Sequence, residues 1–171
     1  MRIGIDARFF GKAGPGRYTK NIIEHLEKVD QENDYIIFMT KEGFEEYQPE
    51  NKKFKKVLAD YMWYSFSEQT AFLFMILKQK LDLYYVPHFN IPVLYPKKIG
   101  TAIPDMTMHT YSTEKGTTLP LWYFKIKKVV YKVVFWWAVF RSFRVIVPSK
   151  TVLEEAMDNI KPVSKYKHVL P

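Results

Sequence analysis

Ile3-Gly4-Ile5-Asp6-Ala7, then Gly11-Lys12-Ala13-Gly14-Pro15-Gly16, then Ile22, Ile23, Leu26 and Val29 form the stretch that decides the fold. A short apolar run, a glycine-rich loop and apolar residues at three- and four-residue spacing read as strand, loop and amphipathic helix. Working outward, the alternation continues. Tyr35 to Met39, Phe54 to Ala59 and Leu83 to Val86 read as strands two to four. Ser65-Phe66-Ser67-Glu68 matches a capping box, in which Ser and Glu satisfy free backbone N–H groups, and opens a helix of about four turns reaching Lys80. Lys98 to Ile103 is the fifth strand and ends at Pro104-Asp105. A helix is expected from about Leu121 to Ser142, a sixth strand over Arg144 to Val147, and a last helix capped by Ser149 or Thr151, with Glu154 completing the Thr-x-x-Glu box. Such alternation is the mark of βα units, so the expected fold class is α/β: one doubly wound domain over residues 1–171 with a mostly parallel sheet flanked by helices.

Composition agrees with a packed domain. The chain has 171 residues, of which 47% are hydrophobic, with only 7 Gly and 10 Pro, so collagen-like and disordered classes are excluded. The absence of Cys excludes a disulfide framework, thiolate–zinc sites and a Cys nucleophile, and fits a reducing cytoplasm. Asp6 interrupts the first apolar run, so no signal peptide is expected. The formal charge of +8 is concentrated in one place. From Lys115 to Leu153 there is no Asp or Glu, whereas Lys115, Lys125, Lys127, Lys128, Lys132, Arg141, Arg144 and Lys150 fall there; outside that window basic and acidic residues are equal at 18 each. The window is also rich in aromatics, from Trp122 to Trp136-Trp137 and Phe140. Its longest uncharged run, Val133 to Phe140, is far short of the ~20 apolar residues that span a bilayer.

A glycine loop between a strand and a helix makes an anion site, because unpaired N–H groups and the helix dipole meet there. Gly11 to Tyr18 reads G-K-A-G-P-G-R-Y, which has the glycine spacing of a P-loop but neither its Lys nor its hydroxyl. Gly11, Gly14 and Gly16 give G-x-x-G-x-G instead of a dinucleotide fingerprint, and the second strand ends in Thr40-Lys41 where a ribose-binding acid would stand. Gly14 and Gly16 allow a backbone to approach a ligand, and Arg17 in the first helical turn opposes the dipole, which calls for an anionic partner. The loop by itself equally allows a tight turn with Arg17 solvated.

Asp6-Ala7-Arg8 followed by Gly14-Pro15-Gly16-Arg17-Tyr18-Thr19 resembles the opening of family-4 glycosyltransferases, which reads G-I-G-R-Y. Later landmarks resemble that family in order: Asp82 to Pro92 as the fourth strand and its loop, Thr101-Ala102-Ile103-Pro104-Asp105 as the T-I-H-D turn, Val145 to Lys150 as a strand-to-helix turn, and Val169-Leu170-Pro171 as the entry to a second domain. The resemblance implies the Rossmann-like N-terminal half of a GT-B enzyme. That half binds a glycan or lipid-linked acceptor, and a C-terminal donor-binding domain holds the nucleotide-sugar, which is transferred with retention and without an essential metal. No cofactor is then expected on this half by itself. By the same resemblance Asp105 is the catalytic candidate, and Gly14, Gly16, Arg17 and Tyr18 line the sugar–phosphate side. Pro104 departs from the family His, and His109, five residues on, is the candidate replacement.

Other candidates follow from position. His88 and Asn90 come after a strand's C-terminus, the edge where open α/β sheets bind ligands. Ser149 stands at another such turn, as a ligand contact or a helix cap. Tyr61, Trp63 and Tyr64 suit stacking on an acceptor or burial in the core. On the basic aromatic helix, Val129, Val130, Val133, Val134 and Phe140 are expected to pack on the sheet. Lys125, Lys128, Lys132 and Trp136 are the candidates for contact with an anionic membrane surface, which would place the chain in the cytoplasm, peripheral at the inner membrane face. A non-catalytic domain that uses this helix to bind a membrane or a protein is the competing expectation. No nucleic-acid partner is expected, since no recognition motif accompanies the charge.

Overall fold

The computed structural model describes residues 1–104, 121–159 and 169–170. In chain order the elements are β1 (Arg2–Asp6), α1 (Ala13–Val29), β2 (Asp34–Met39), α2 (Lys41–Glu46), β3 (Phe54–Leu58), a π-helical turn (Glu68–Phe72) leading into α3 (Leu73–Lys78), β4 (Leu83–Val86), β5 (Ile99–Ala102), α4 (Leu121–Arg141), β6 (Ser142–Ile146), α5 (Lys150–Asn159) and β7 (Val169–Leu170). The strands form one sheet in the order β3-β2-β1-β4-β5-β6-β7, and every neighbouring pair is parallel. This is the doubly wound, Rossmann-like order. Its direction reverses between β1 and β4, which opens a crevice at their C-terminal ends.

Parallel strands are covered on both faces, which is why β2 reads as an unbroken apolar run instead of an alternating one. Tyr35, Ile36, Ile37, Phe38 and Met39 are all buried. On one face α1 lays Ile22, Ile23 and Leu26 over Ile5, Ile37, Met39 and Tyr85. On the other, Phe72 and Ile76, then Phe135, Ala138 and Val139 of α4 and Ala156 of α5, pack on Phe38, Tyr84, Val86, Ile99 and Val145. Burying a side chain of this size contributes about 1.5–3 kcal/mol.

Five expectations need correction. The glycine stretch is not a loop throughout: α1 begins at Ala13, so Gly14, Pro15 and Gly16 lie inside its first turn. The first four N–H groups of a helix have no intrahelical acceptor, so Pro15 sacrifices nothing there. Gly16 is needed for close approach, since a Cβ on it would lie 2.0 Å from the Phe9 carbonyl oxygen, whereas one on Gly14 would meet nothing within 4 Å. The helix after Ser65 stops at Lys78, and Lys80 takes a left-handed φ of 52° that turns the chain so that Leu81 packs beneath Gly4. Ser149 caps α5 by accepting the Val152 N–H (3.3 Å), so Thr151 lies inside the helix and its box with Glu154 opens nothing. A seventh strand, β7, extends the sheet beyond β6. Finally, the outer valines of α4 are not core: Val129, Val130 and Val133 are exposed, as is Phe140.

Gly14 and Gly16 therefore separate cleanly. Gly14→Ala is expected to raise Tm by about 2 °C through reduced unfolded-state entropy, and Gly16→Ala to lower it by at least about 4 °C, measured by thermal melting.

Candidate functional site

β1 and β4 deliver their C-terminal ends to the point where the sheet's order reverses, the edge at which open α/β sheets hold ligands. In a strand, residues two apart share a face, so Gly4 and Asp6 point the same way and Arg8, just past the strand, follows them. Arg8 binds Asp6 in two-pronged fashion, Nε to Oδ1 at 2.9 Å and Nη2 to Oδ2 at 2.7 Å. Its Nη2 also donates to Glu68 Oε1 at 2.6 Å. The Phe72 ring lies under the guanidinium, 4.1 Å from its carbon. The Arg8 and Glu68 side chains are 0% exposed.

Two further groups complete the cluster. Tyr84 donates its hydroxyl to Asp6 Oδ2 (3.0 Å), and Asn90 Nδ2 donates to Glu68 Oε1 (2.8 Å). Glu68 Oε2 accepts the Tyr64 N–H at 2.8 Å. Burial opposes the Arg8 charge, but Asp6, with Tyr84 and Glu68 beside it, outweighs that and holds the guanidinium above its ordinary pKa. Burial, reinforced by Asp6, pushes the Tyr84 phenol well above 10. With two carboxylates against one guanidinium, the arrangement clamps three chain segments around a single buried cation.

Residues next to the cluster in sequence carry aromatic rings that meet one another. Phe9 stacks on Trp63 with centroids 4.2 Å apart and planes at 15°, and its ring is 5.1 Å from His88. His88 in turn lies 4.0 Å from Phe89. The His88 Nδ1 accepts the Asn90 N–H (3.2 Å), which assigns the proton of the neutral ring to Nε2. Trp63 Nε1 is buried and has no hydrogen-bond acceptor among the described residues. Lys12, just before α1, sits with its ammonium 5.9 Å from the Trp63 ring.

The structure sorts the sequence candidates. His88 lies beside the Phe9–Trp63 stack, past the C-terminal end of β4. Asn90 is buried and donates to Glu68, so it positions the loop. The Gly16 N–H, expected at a phosphate, donates to the Lys12 carbonyl at 2.9 Å inside the helix. Gly14 and Arg17 are exposed, and Arg17 forms no ion pair among the described residues. Tyr18 pairs its hydroxyl with that of Tyr85 at 3.1 Å, bridging α1 to β4, and burial raises the Tyr85 phenol above its ordinary value. Ser149 lies past β6, two strands from β4, and serves its own helix. Tyr61 packs on Phe72, whereas Tyr64 is exposed. Asp105 and His109 lie outside the described residues, as do the side chains of Lys125 and Lys128. The sequence reading missed the role of Glu68, taken there as a local cap, and the pairing of Asp6 with Arg8. Their two-residue spacing at a strand end was the available signal.

No family model matches the chain, and no curated protein does. Among solved structures the chain is similar to the PbgP3 protein from Burkholderia pseudomallei, with a TM-score of 0.45 and 9% identity over 85% of this chain and 52% of that one. The chain thus spans about half the length of that structure.

Two outcomes follow from the cluster. Arg8→Met strands two buried carboxylates and is expected to cost at least about 3 kcal/mol, whereas Glu68→Gln keeps one acceptor and costs about 1–2 kcal/mol; urea unfolding distinguishes them, and equal losses would show that the charges do not act as a unit. Because the Tyr84 and Tyr85 phenols keep their protons in the folded state at pH values where the unfolded chain releases them, stability is full below pH ~10 and falls as pH rises above it, readable from melts between pH 9 and 11.

Proposed function

We propose that this chain is the acceptor-binding half of a retaining glycosyltransferase. The observation that carries the reading is the Phe9–Trp63 aromatic platform beside His88, at the ligand edge of the sheet. A sugar ring has an apolar face for the stack and hydroxyl groups that the neighbouring His88 ring can meet at its edge. The order of motifs from Asp6 to Leu170, similar to family-4 glycosyltransferases, supports the same class.

In this reading an acceptor sugar lies on Trp63 with His88 at its side. A donor-binding domain brings the nucleotide-sugar, and the first turn of α1, which carries no acid and has Arg17 exposed, contributes positive potential toward the donor diphosphate. The acceptor hydroxyl bonds to the anomeric carbon, the bond from that carbon to the diphosphate breaks, and the hydroxyl proton is released. Asp105, and His109 near the Pro104 departure, remain the candidates for groups closest to that centre.

Saturation-transfer NMR of the chain with a panel of mono- and disaccharides tests this. Transfer to sugar ring protons is expected, weakened about tenfold in Trp63→Ala and retained more fully in Trp63→Phe, which keeps the stack. Absence of saccharide binding, or binding indifferent to Trp63→Ala, would overturn the reading.

A further inference from the structure

The rotation of α4 is fixed by its contacts. Phe135, Ala138 and Val139 are buried against the sheet, Trp137 Nε1 donates to the Val93 carbonyl (3.0 Å), and Arg141 Nη2 donates to the Tyr95 carbonyl (2.8 Å). With the helix so held, Val129 (62% exposed), Val133 (59%), Trp136 (43%) and Phe140 (46%) fall at i, i+4, i+7 and i+11, a single outward stripe. The Trp136 and Phe140 rings stack along it, centroids 5.3 Å apart and planes at 8°. Exposed apolar side chains gathered in one stripe are characteristic of an interaction surface.

Charge selects which partner. Lys132 is exposed beside the stripe, Lys125 stands one heptad before it in the sequence, and no carboxylate occurs anywhere from Lys115 to Leu153. A second copy of the chain would set like charge against like, whereas an anionic lipid surface offers phosphates to the ammonium groups and an apolar layer to the rings. No helix among the described residues is long and apolar enough to cross a membrane, so the helix would lie in the plane of the interface. We propose that α4 docks the domain on bilayers containing anionic phospholipid, with Val129, Val133, Trp136 and Phe140 entering the interface and Lys132 among the headgroups. This rests on different residues from the saccharide platform, and either can fail without the other.

Flotation of the chain with phosphatidylcholine vesicles, with and without phosphatidylglycerol, tests it. Binding is expected only with phosphatidylglycerol and is expected to weaken as salt is raised. The double variant Trp136→Ser/Phe140→Ser should reduce it at least about tenfold, and Lys132→Glu about fivefold or more, each with an unchanged melting temperature because the residues are exposed. Binding that ignores both variants, no binding to either vesicle, or a salt-insensitive dimer in light scattering that the double variant splits would each overturn the proposal.

Discussion

A guanidinium with no access to water must be surrounded by its counter-charges, and Arg8 obtains them from two different parts of the chain. Asp6 comes from the same strand end, Glu68 from the π-turn before α3, and Asn90 from the loop after β4 secures Glu68 in turn. Removing one partner from such a cluster leaves an uncompensated charge in the interior, so its members hold one another's positions. Each of those positions adjoins a platform ring: Phe9 follows Arg8, Trp63 precedes the Tyr64 N–H that Glu68 accepts, and His88 lies two residues before Asn90. The polar cluster therefore fixes the backbone from which the platform rings project. Rings placed by buried ionic groups are held more tightly than rings on a free loop.

Gly16 links this assembly to α1. Its missing side chain lets the helix come up against the Phe9 carbonyl, and the Gly11 N–H closes on the Gly16 carbonyl at 3.4 Å. The helix's first turn and the aromatic platform are thus two ends of one short connection.

The strands were legible because buried parallel strands are plain apolar runs: Leu83 to Val86 was placed at its observed bounds, and the others within one or two residues. The start of α1 was not, because glycine and proline read as breakers everywhere except in a first turn, where the unpaired N–H groups make them harmless. The face of α4 was misread for another reason. Its sequence is apolar nearly all round, so periodicity could not choose a side, and the choice was made by Trp137 and Arg141 reaching carbonyls more than forty residues away. β7, two residues long, has no periodicity to read. At the site, the position of His88 followed from topology. The inward turn of Asn90 did not, since it depends on Glu68, twenty-two residues distant, whose local motif already offered a complete explanation.

The central place of β1 has a consequence for how the molecule is made. Its two neighbours are β2 and β4, and Ile3 pairs with Leu83 across eighty residues of chain. At roughly 5–20 residues per second, synthesis leaves the first strand for several seconds with one edge unpaired and Arg8 still in water. The β1–β4 ladder therefore closes only after β2, α2, β3 and α3 have been made, and both ladders beside β1 are non-local, the class of topology that folds slowly. An open strand edge of this kind is a template for pairing with another chain, so folding in the cell is a contest between β4 and neighbouring molecules for the same row of hydrogen bonds.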